Sequence, residues 1–78
     1  MLKKLKLVIP ARRIDEPIIY KIVSAYNLKP NIIEASFEPD AEGRVKLSLE
    51  GTPADVEKGL LYLKELDIEI EELGEEDV

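Results

Sequence analysis

Apolar and polar positions alternate at the start of the chain, with Leu5, Leu7 and Ile9 interleaved with Lys4, Lys6 and Val8. A period of two puts successive side chains on opposite faces, so this segment reads as a strand with one buried face, closed by Pro10. Ala11 to Glu16 follows as a connector, with Asp15 placed to cap a helix that has Pro17 in its first turn. Ile18, Ile19, Ile22, Val23 and Tyr26 then recur at helical spacing on one stripe, while Lys21 and Ser24 fall opposite. Asn27 tolerates left-handed backbone and is the stop signal.

The period returns to two from Pro30 to Glu38. Strict alternation puts Ile33, Ala35 and Phe37 on one face and Ile32, Glu34 and Ser36 on the other. Pro39 to Gly43 reads as a hairpin loop, in which proline presets a turn and Gly43 supplies a positive φ. From Arg44 to Glu50, Val45, Leu47 and Leu49 point inward and Lys46, Ser48 and Glu50 outward. Gly51-Thr52-Pro53-Ala54-Asp55 is the sharpest local signal. Thr52 suits a helix cap, Pro53 the first helical position, and Asp55 the positive end of the helix dipole. Val56, Leu60 and Leu63 form the buried stripe of that helix, with Gly59 on the same side. A mid-helix glycine costs about 1 kcal/mol of propensity, which points to a close approach as its reason. Asp67 to Leu73 is a last strand with Ile68 and Ile70 inward, and residues 74–78 read as an acidic tail.

The order is strand, helix, strand, strand, helix, strand. Two helices on one face of a four-stranded antiparallel sheet give an α+β, ferredoxin-like βαββαβ fold, spanning residues 1–78 as one domain. The first strand then lies centrally, and Lys4 and Lys6 face Glu69 and Glu71 across a strand boundary. Val8 and Ile32 are expected as apolar spots on the uncovered face.

Composition narrows the chemistry. The chain has 78 residues, 25 of them Leu, Ile or Val, which is enough for a thin two-layer core. It contains no cysteine and no histidine. Thiolate metal sites, iron–sulfur clusters and disulfides are therefore unavailable on this chain, as are the usual nucleophile and general base at neutral pH. No catalytic residue, metal site or cofactor is expected. The formal net charge is −6, which repels nucleic acid and anionic membrane. The run after Met1-Leu2-Lys3-Lys4 is broken by Lys6 and stopped by Pro10, so a secretory leader is not read there and a cytoplasmic protein without membrane insertion is expected. Charged residues make up 36% of the chain and glutamine is absent, a bias found in thermophile proteins.

Candidate chemistry is sparse. Glu69, Glu71 and Glu72, or Glu75, Glu76 and Asp77, lack the converging spacing of a calcium loop. Arg12 and Arg13 could hold an anion beside the first helix, but read more simply as exposed cations in a loop. RNA-recognition domains of the same element order stack bases on aromatic residues of the first and third strands. Here Lys4, Lys6, Lys46 and Ser48 occupy those outward positions. Acyl-phosphate hydrolases of this fold depend on a glycine-rich phosphate loop, and Pro10-Ala11-Arg12-Arg13 has no glycine.

Glu16-Pro17-Ile18-Ile19-Tyr20, Lys29-Pro30-Asn31-Ile32-Ile33, the Gly43 hairpin and Leu47-Ser48-Leu49-Glu50-Gly51 together resemble the NIL domain family, from about Leu5 to Leu73. The family is named for an Asn-Ile-Leu opening its second strand, and Ile33 stands here in place of the leucine. Such domains form the C-terminal regulatory part of methionine-importer ATPases, where they pair and bind methionine, or precede a ferredoxin domain in proteins of sulfur and homocysteine metabolism. The resemblance implies a non-catalytic regulatory module that pairs as a homodimer and senses methionine or a related sulfur amino acid. The alternative it implies is an accessory subunit that docks on a sulfur-metabolism or ferredoxin-linked enzyme. Asn31 would contact the ligand's ammonium or carboxylate, with Ile32 and Ile33 shaping an apolar slot. Equally, Asn31 can simply turn the chain after Pro30.

Overall fold

Four strands and two helices follow the expected order in the computed structural model, which describes residues 1–39 and 41–76. They are β1 (Leu2–Ile9), α1 (Ile18–Ser24), β2 (Lys29–Ser36), β3 (Gly43–Glu50), α2 (Pro53–Glu65) and β4 (Glu69–Glu76). The strands form one sheet in the order β2-β3-β1-β4, and every neighbouring pair is antiparallel. This is the α+β, ferredoxin-like arrangement.

The alternation of the two central strands builds the core. Leu5, Leu7 and Ile9 of β1 and Val45, Leu47 and Leu49 of β3 are buried on one face, where they pack with Ile18 and Ile22 of α1 and Val56 and Leu63 of α2. Each such side chain contributes about 1.5–3 kcal/mol by leaving water. Among the described residues no polar or charged residue is buried, so their charged side chains lie at least partly in solvent.

The two halves of the chain end their helices by the same device. Asn27 after α1 and Asp67 after α2 adopt left-handed backbone, with φ of 55° and 62°. Each is followed by a buried apolar residue, Leu28 or Ile68. After α2 the Ile68 amide donates to the Leu63 carbonyl at 3.2 Å and the Asp67 amide to the Lys64 carbonyl at 3.0 Å, closing a Schellman turn. At the other end of α2 the Thr52 hydroxyl accepts the Asp55 amide at 3.1 Å, with Pro53 in the first position, as the sequence signal implies.

Local expectations fail at four places, each for a physical reason. Asp15 is exposed and caps nothing; α1 begins at Ile18, with a 3-10 turn at Ala11–Arg13 before it. Pro17 disfavours helical backbone at Glu16, so the helix cannot extend back to Asp15. Gly43 does not supply a positive φ, for no glycine in the described chain has one. It lies in β3, where a β-carbon would stand 2.6 Å from the Phe37 ring. The loop residue Asp40 lies outside the described residues. The final strand also runs on to Glu76, so Glu75 and Glu76 are laddered opposite Lys3 and Leu2 and are not tail; Asp77 and Val78 lie outside the described residues.

The fourth difference is register. β2 carries one extra residue between Ile32 and Glu34, so that Ile32 stands opposite Leu47 and Glu34 opposite Lys46. A bulge reverses the alternation on one side of it. Ile32 therefore shares the helix-covered side with Leu47, and is not an apolar spot on the open face. In β4 Lys6 opposes Glu71 as expected, and the antiparallel register then sets Glu69 opposite Val8; a second bulge at Leu73 moves Lys4 opposite Gly74.

Candidate ligand-binding edge

The two edge strands, β2 and β4, are little covered, with seven of eight residues exposed in each. In β2 the exposed residues include the apolar Ile32 and Ile33, 51% and 47% exposed, and Phe37 just beyond the strand is 53% exposed. Element length explains this. The seven residues of α1 span about 10 Å at helical rise. The eight residues of β2 extend about 27 Å, so the helix shelters less than half of the strand.

An apolar groove of 210 Å³ opens between α1 and β2, with Ile14, Ile18 and Ile19 on one wall and Ile32, Ala35 and Phe37 on the other. Tyr20, 70% exposed, stands at its rim. The Phe37 ring reaches the sheet because Gly43 has no side chain to exclude it.

The three residues singled out from the sequence are consecutive but do not share a face. Asn31 opposes Ser48 and looks out over the open face of the sheet. Ile32 opposes Leu47 and lines the groove on the helix side. Ile33 is the extra residue of the bulge. A molecule lying beside the edge could touch all three, whereas one held on either face alone could not. Pattern reading missed the bulge because two adjacent isoleucines fit either register; that adjacency, which interrupts strict alternation, was the available signal.

The arginines are occupied by carboxylates. Arg12 Nη2 donates to Asp67 Oδ2 at 2.6 Å, tying the connector to the end of α2. Arg13 Nη1 donates to both carboxylate oxygens of Glu16, at 3.1 and 3.0 Å. Between the helices Tyr26 and Tyr62 stack with ring centroids 5.1 Å apart and planes tilted by 31°. Partial burial, then the neighbouring Tyr26, pushes the Tyr62 hydroxyl above its ordinary value. Along β1 and β4 the Lys3 ammonium bonds to Glu72, which opposes Leu5 on the helix side, and lies 3.5 Å from Glu75, which the bulge sets opposite Lys3.

Among the described residues, no group of three or more acidic side chains is placed to hold a metal ion, and no helix is long and apolar enough to cross a membrane.

Comparison with known proteins agrees with this architecture. The NIL domain family matches residues 3–72. The chain belongs to the NIL domain family. A Synechocystis sp. relative, the uncharacterized protein ssr2439, is 36% identical over 67 residues, covering 85% of this chain and 69% of its own. Among solved structures, the C-terminal domain of an ABC transporter ATP-binding protein from Enterococcus faecalis superposes with a TM-score of 0.80 at 25% identity, over 95% of this chain and 86% of that one. An uncharacterized conserved bacterial protein from Eubacterium ventriosum shares the fold alone, with a TM-score of 0.57 at 17% identity over 94% of this chain and 99% of that one. These likenesses make this NIL domain a regulatory or accessory module by family.

Proposed function

We propose that this NIL domain is a non-catalytic cytoplasmic sensor that pairs with a second copy along β2 and takes methionine or a related sulfur amino acid at Asn31, Ile32 and Ile33. The observation that carries the reading is the unfinished state of the α1–β2 groove. Its 210 Å³ falls below the roughly 300–1,000 Å³ typical of self-sufficient ligand sites, and one side is open. A partner strand beside β2 would close it.

The two edges of the sheet differ in a way that favours this occupant. β4 carries Glu69, Glu71, Glu72, Glu75 and Glu76, so a second β4 laid against it would set glutamate against glutamate. β2 has Lys29 and Glu34 along the same length, and leaves Ile32 and Ile33 exposed. A pair closed about a two-fold axis at β2 buries both apolar grooves and leaves the acidic edges outside.

An amino acid held along this edge meets backbone amide and carbonyl groups on the side of β2 that no other strand of the sheet occupies. The Asn31 amide offers donors and an acceptor to its ammonium and carboxylate. Ile32, backed by Ile19 and Phe37, receives its apolar chain.

Isothermal calorimetry with methionine, homocysteine, cysteine and S-adenosylmethionine, run beside sedimentation analysis, tests both parts. Saturable binding by one of them, weakened at least tenfold by Asn31→Ala, is expected, with the dimer lost in Ile32→Asp. A dimer that binds none of the four leaves pairing intact and removes the sensor. A monomer that binds none returns the edge to the accessory reading, in which β2 accepts a strand from another protein.

A further inference from the structure

On the face of the sheet away from both helices, the four strands bring one charged side chain each into a single transverse row. Glu34 of β2 opposes Lys46 of β3, Lys46 opposes Lys6 of β1, and Lys6 opposes Glu71 of β4. The central pair sets two ammonium-bearing side chains on neighbouring strands whose backbones are about 4.5–5.5 Å apart. Like charges placed directly opposite are destabilising.

The flanking glutamates could neutralise this pair by direct contact, yet none of the four residues makes an ion pair with another described residue. The same sheet does form such contacts elsewhere, where Lys3 engages Glu72 and Glu75. The row instead lies in a surface depression of about 690 Å³, with Ser36 and Arg44 beside it and Leu73, the extra residue of the β4 bulge, on its rim.

We propose that Lys6 and Lys46 hold a single oxyanion, the carboxylate or phosphate of a small molecule, between their ammonium groups. One anion at that point turns a row that reads minus, plus, plus, minus into one that alternates throughout. Lys6 and Lys46 donate charge-assisted hydrogen bonds and Ser36 a hydroxyl, while Arg44, whose Nη2 already donates to Glu42 Oε1 at 3.1 Å, adds positive charge beside them. Leu73, 44% exposed, offers the carbon skeleton an apolar contact.

The flanking carboxylates select the size of the ligand. Glu34 and Glu71 close both ends of the row, and a polyanion crossing the sheet would run over them, so nucleic acid is rejected while a compact anion is accepted. A second copy of this face does not fit either, because a two-fold superposition of the row puts plus on plus and minus on minus. The site is separate from the β2 groove, and its test is independent of the sensor reading.

The experiment is an NMR titration of the full chain, observing the lysine ε-carbon signals, with sodium phosphate in one arm and succinate in the other. Ionic strength is held constant with sodium chloride. Saturable displacement of the Lys6 and Lys46 signals is expected, at least tenfold weaker in Lys6→Gln and Lys46→Gln and unchanged in Lys21→Gln on the exposed side of α1. Saturation with phosphate alone assigns a phosphoryl ligand, and with succinate alone a carboxylate. Displacement that never saturates, that all three variants share, or that chloride reproduces would mean an adventitious ion only, and would overturn the site.

Discussion

The δ1 carbon of Leu28 lies 2.5 Å from where a β-carbon on Gly59 would stand, and its δ2 carbon lies 2.7 Å from the corresponding position on Gly51. Leu28 is 1% exposed and directly follows the left-handed Asn27, so both of its branches are held by glycines from the other half of the chain. The glycine of α2 therefore serves the loop between α1 and β2, and lets the two βαβ halves close on each other.

Gly59→Ala should consequently lower the melting temperature despite the better helix propensity of alanine. The propensity gain is about 1 kcal/mol, whereas overpacking a core contact costs about 1–3 kcal/mol. Leu28 has its other branch packed close to Gly51, which limits how far it can turn from the new methyl group. Denaturant unfolding of Gly59→Ala, Leu28→Ala and the double variant should reveal coupling, with the double variant losing less than the sum. Gly74→Ala is the contrast, since nothing lies within 4 Å of its added carbon and its φ is not positive. A gain of about 0.4–1 kcal/mol is expected there, from reduced freedom of the unfolded chain. Additive losses at positions 28 and 59 would refute the clamp.

Asn27 holds its left-handed backbone at φ 55° with an exposed side chain, so the position tests conformation with little packing involved. Asn27→Val should destabilise by about 1–2 kcal/mol, the cost of left-handed backbone for an ordinary L-residue, raised further by β-branching. Asn27→Gly should be neutral or mildly stabilising. Equal losses for valine and glycine, measured by urea unfolding, would show that the side chain and not the backbone matters.

The Lys3–Glu72 pair gives a pH dependence with a definite sign. The hydrogen bond from Lys3, followed by the charge of its ammonium, holds the Glu72 carboxyl below its ordinary 4.5. The hydrogen bond to Glu72 raises Lys3 above 10.5 against the opposing effect of burial. The Glu72 contribution is thus present above the ordinary carboxylate range and is lost as pH falls through its lowered folded value. The Lys3 contribution is present below 10.5 and is lost as pH rises through its raised folded value. Carboxyl-detected NMR should show the Glu72 midpoint moving upward in Lys3→Met. An unchanged midpoint would remove the pair.

Legibility in the sequence followed the kind of information each feature needs. Thr52, Pro53 and Asp55 act within one helical turn, so the start of α2 can be read from five consecutive residues. The same holds for Asn27, whose backbone preference is its own. Lys3 and Glu72 are 69 positions apart and meet only because β4 ladders against β1, and the extra residue at Leu73 is what sets Glu75 opposite Lys3. The candidate edge is intermediate: Asn31, Ile32 and Ile33 stood out by resemblance, but their distribution over two faces depends on the bulge.

By itself, the sequence determined the element order, the buried faces of β1 and β3, the cap of α2 and the absence of cysteine and histidine chemistry, because periodicity, capping and composition are local or additive properties. Tertiary structure decided the register of β2, the exposure of its edge beside a helix too short to cover it, the clamp on Leu28 and the lysine pair at the centre of the open face. Each of these depends on which distant residue becomes a neighbour, and one extra residue in a strand is enough to exchange one face for the other.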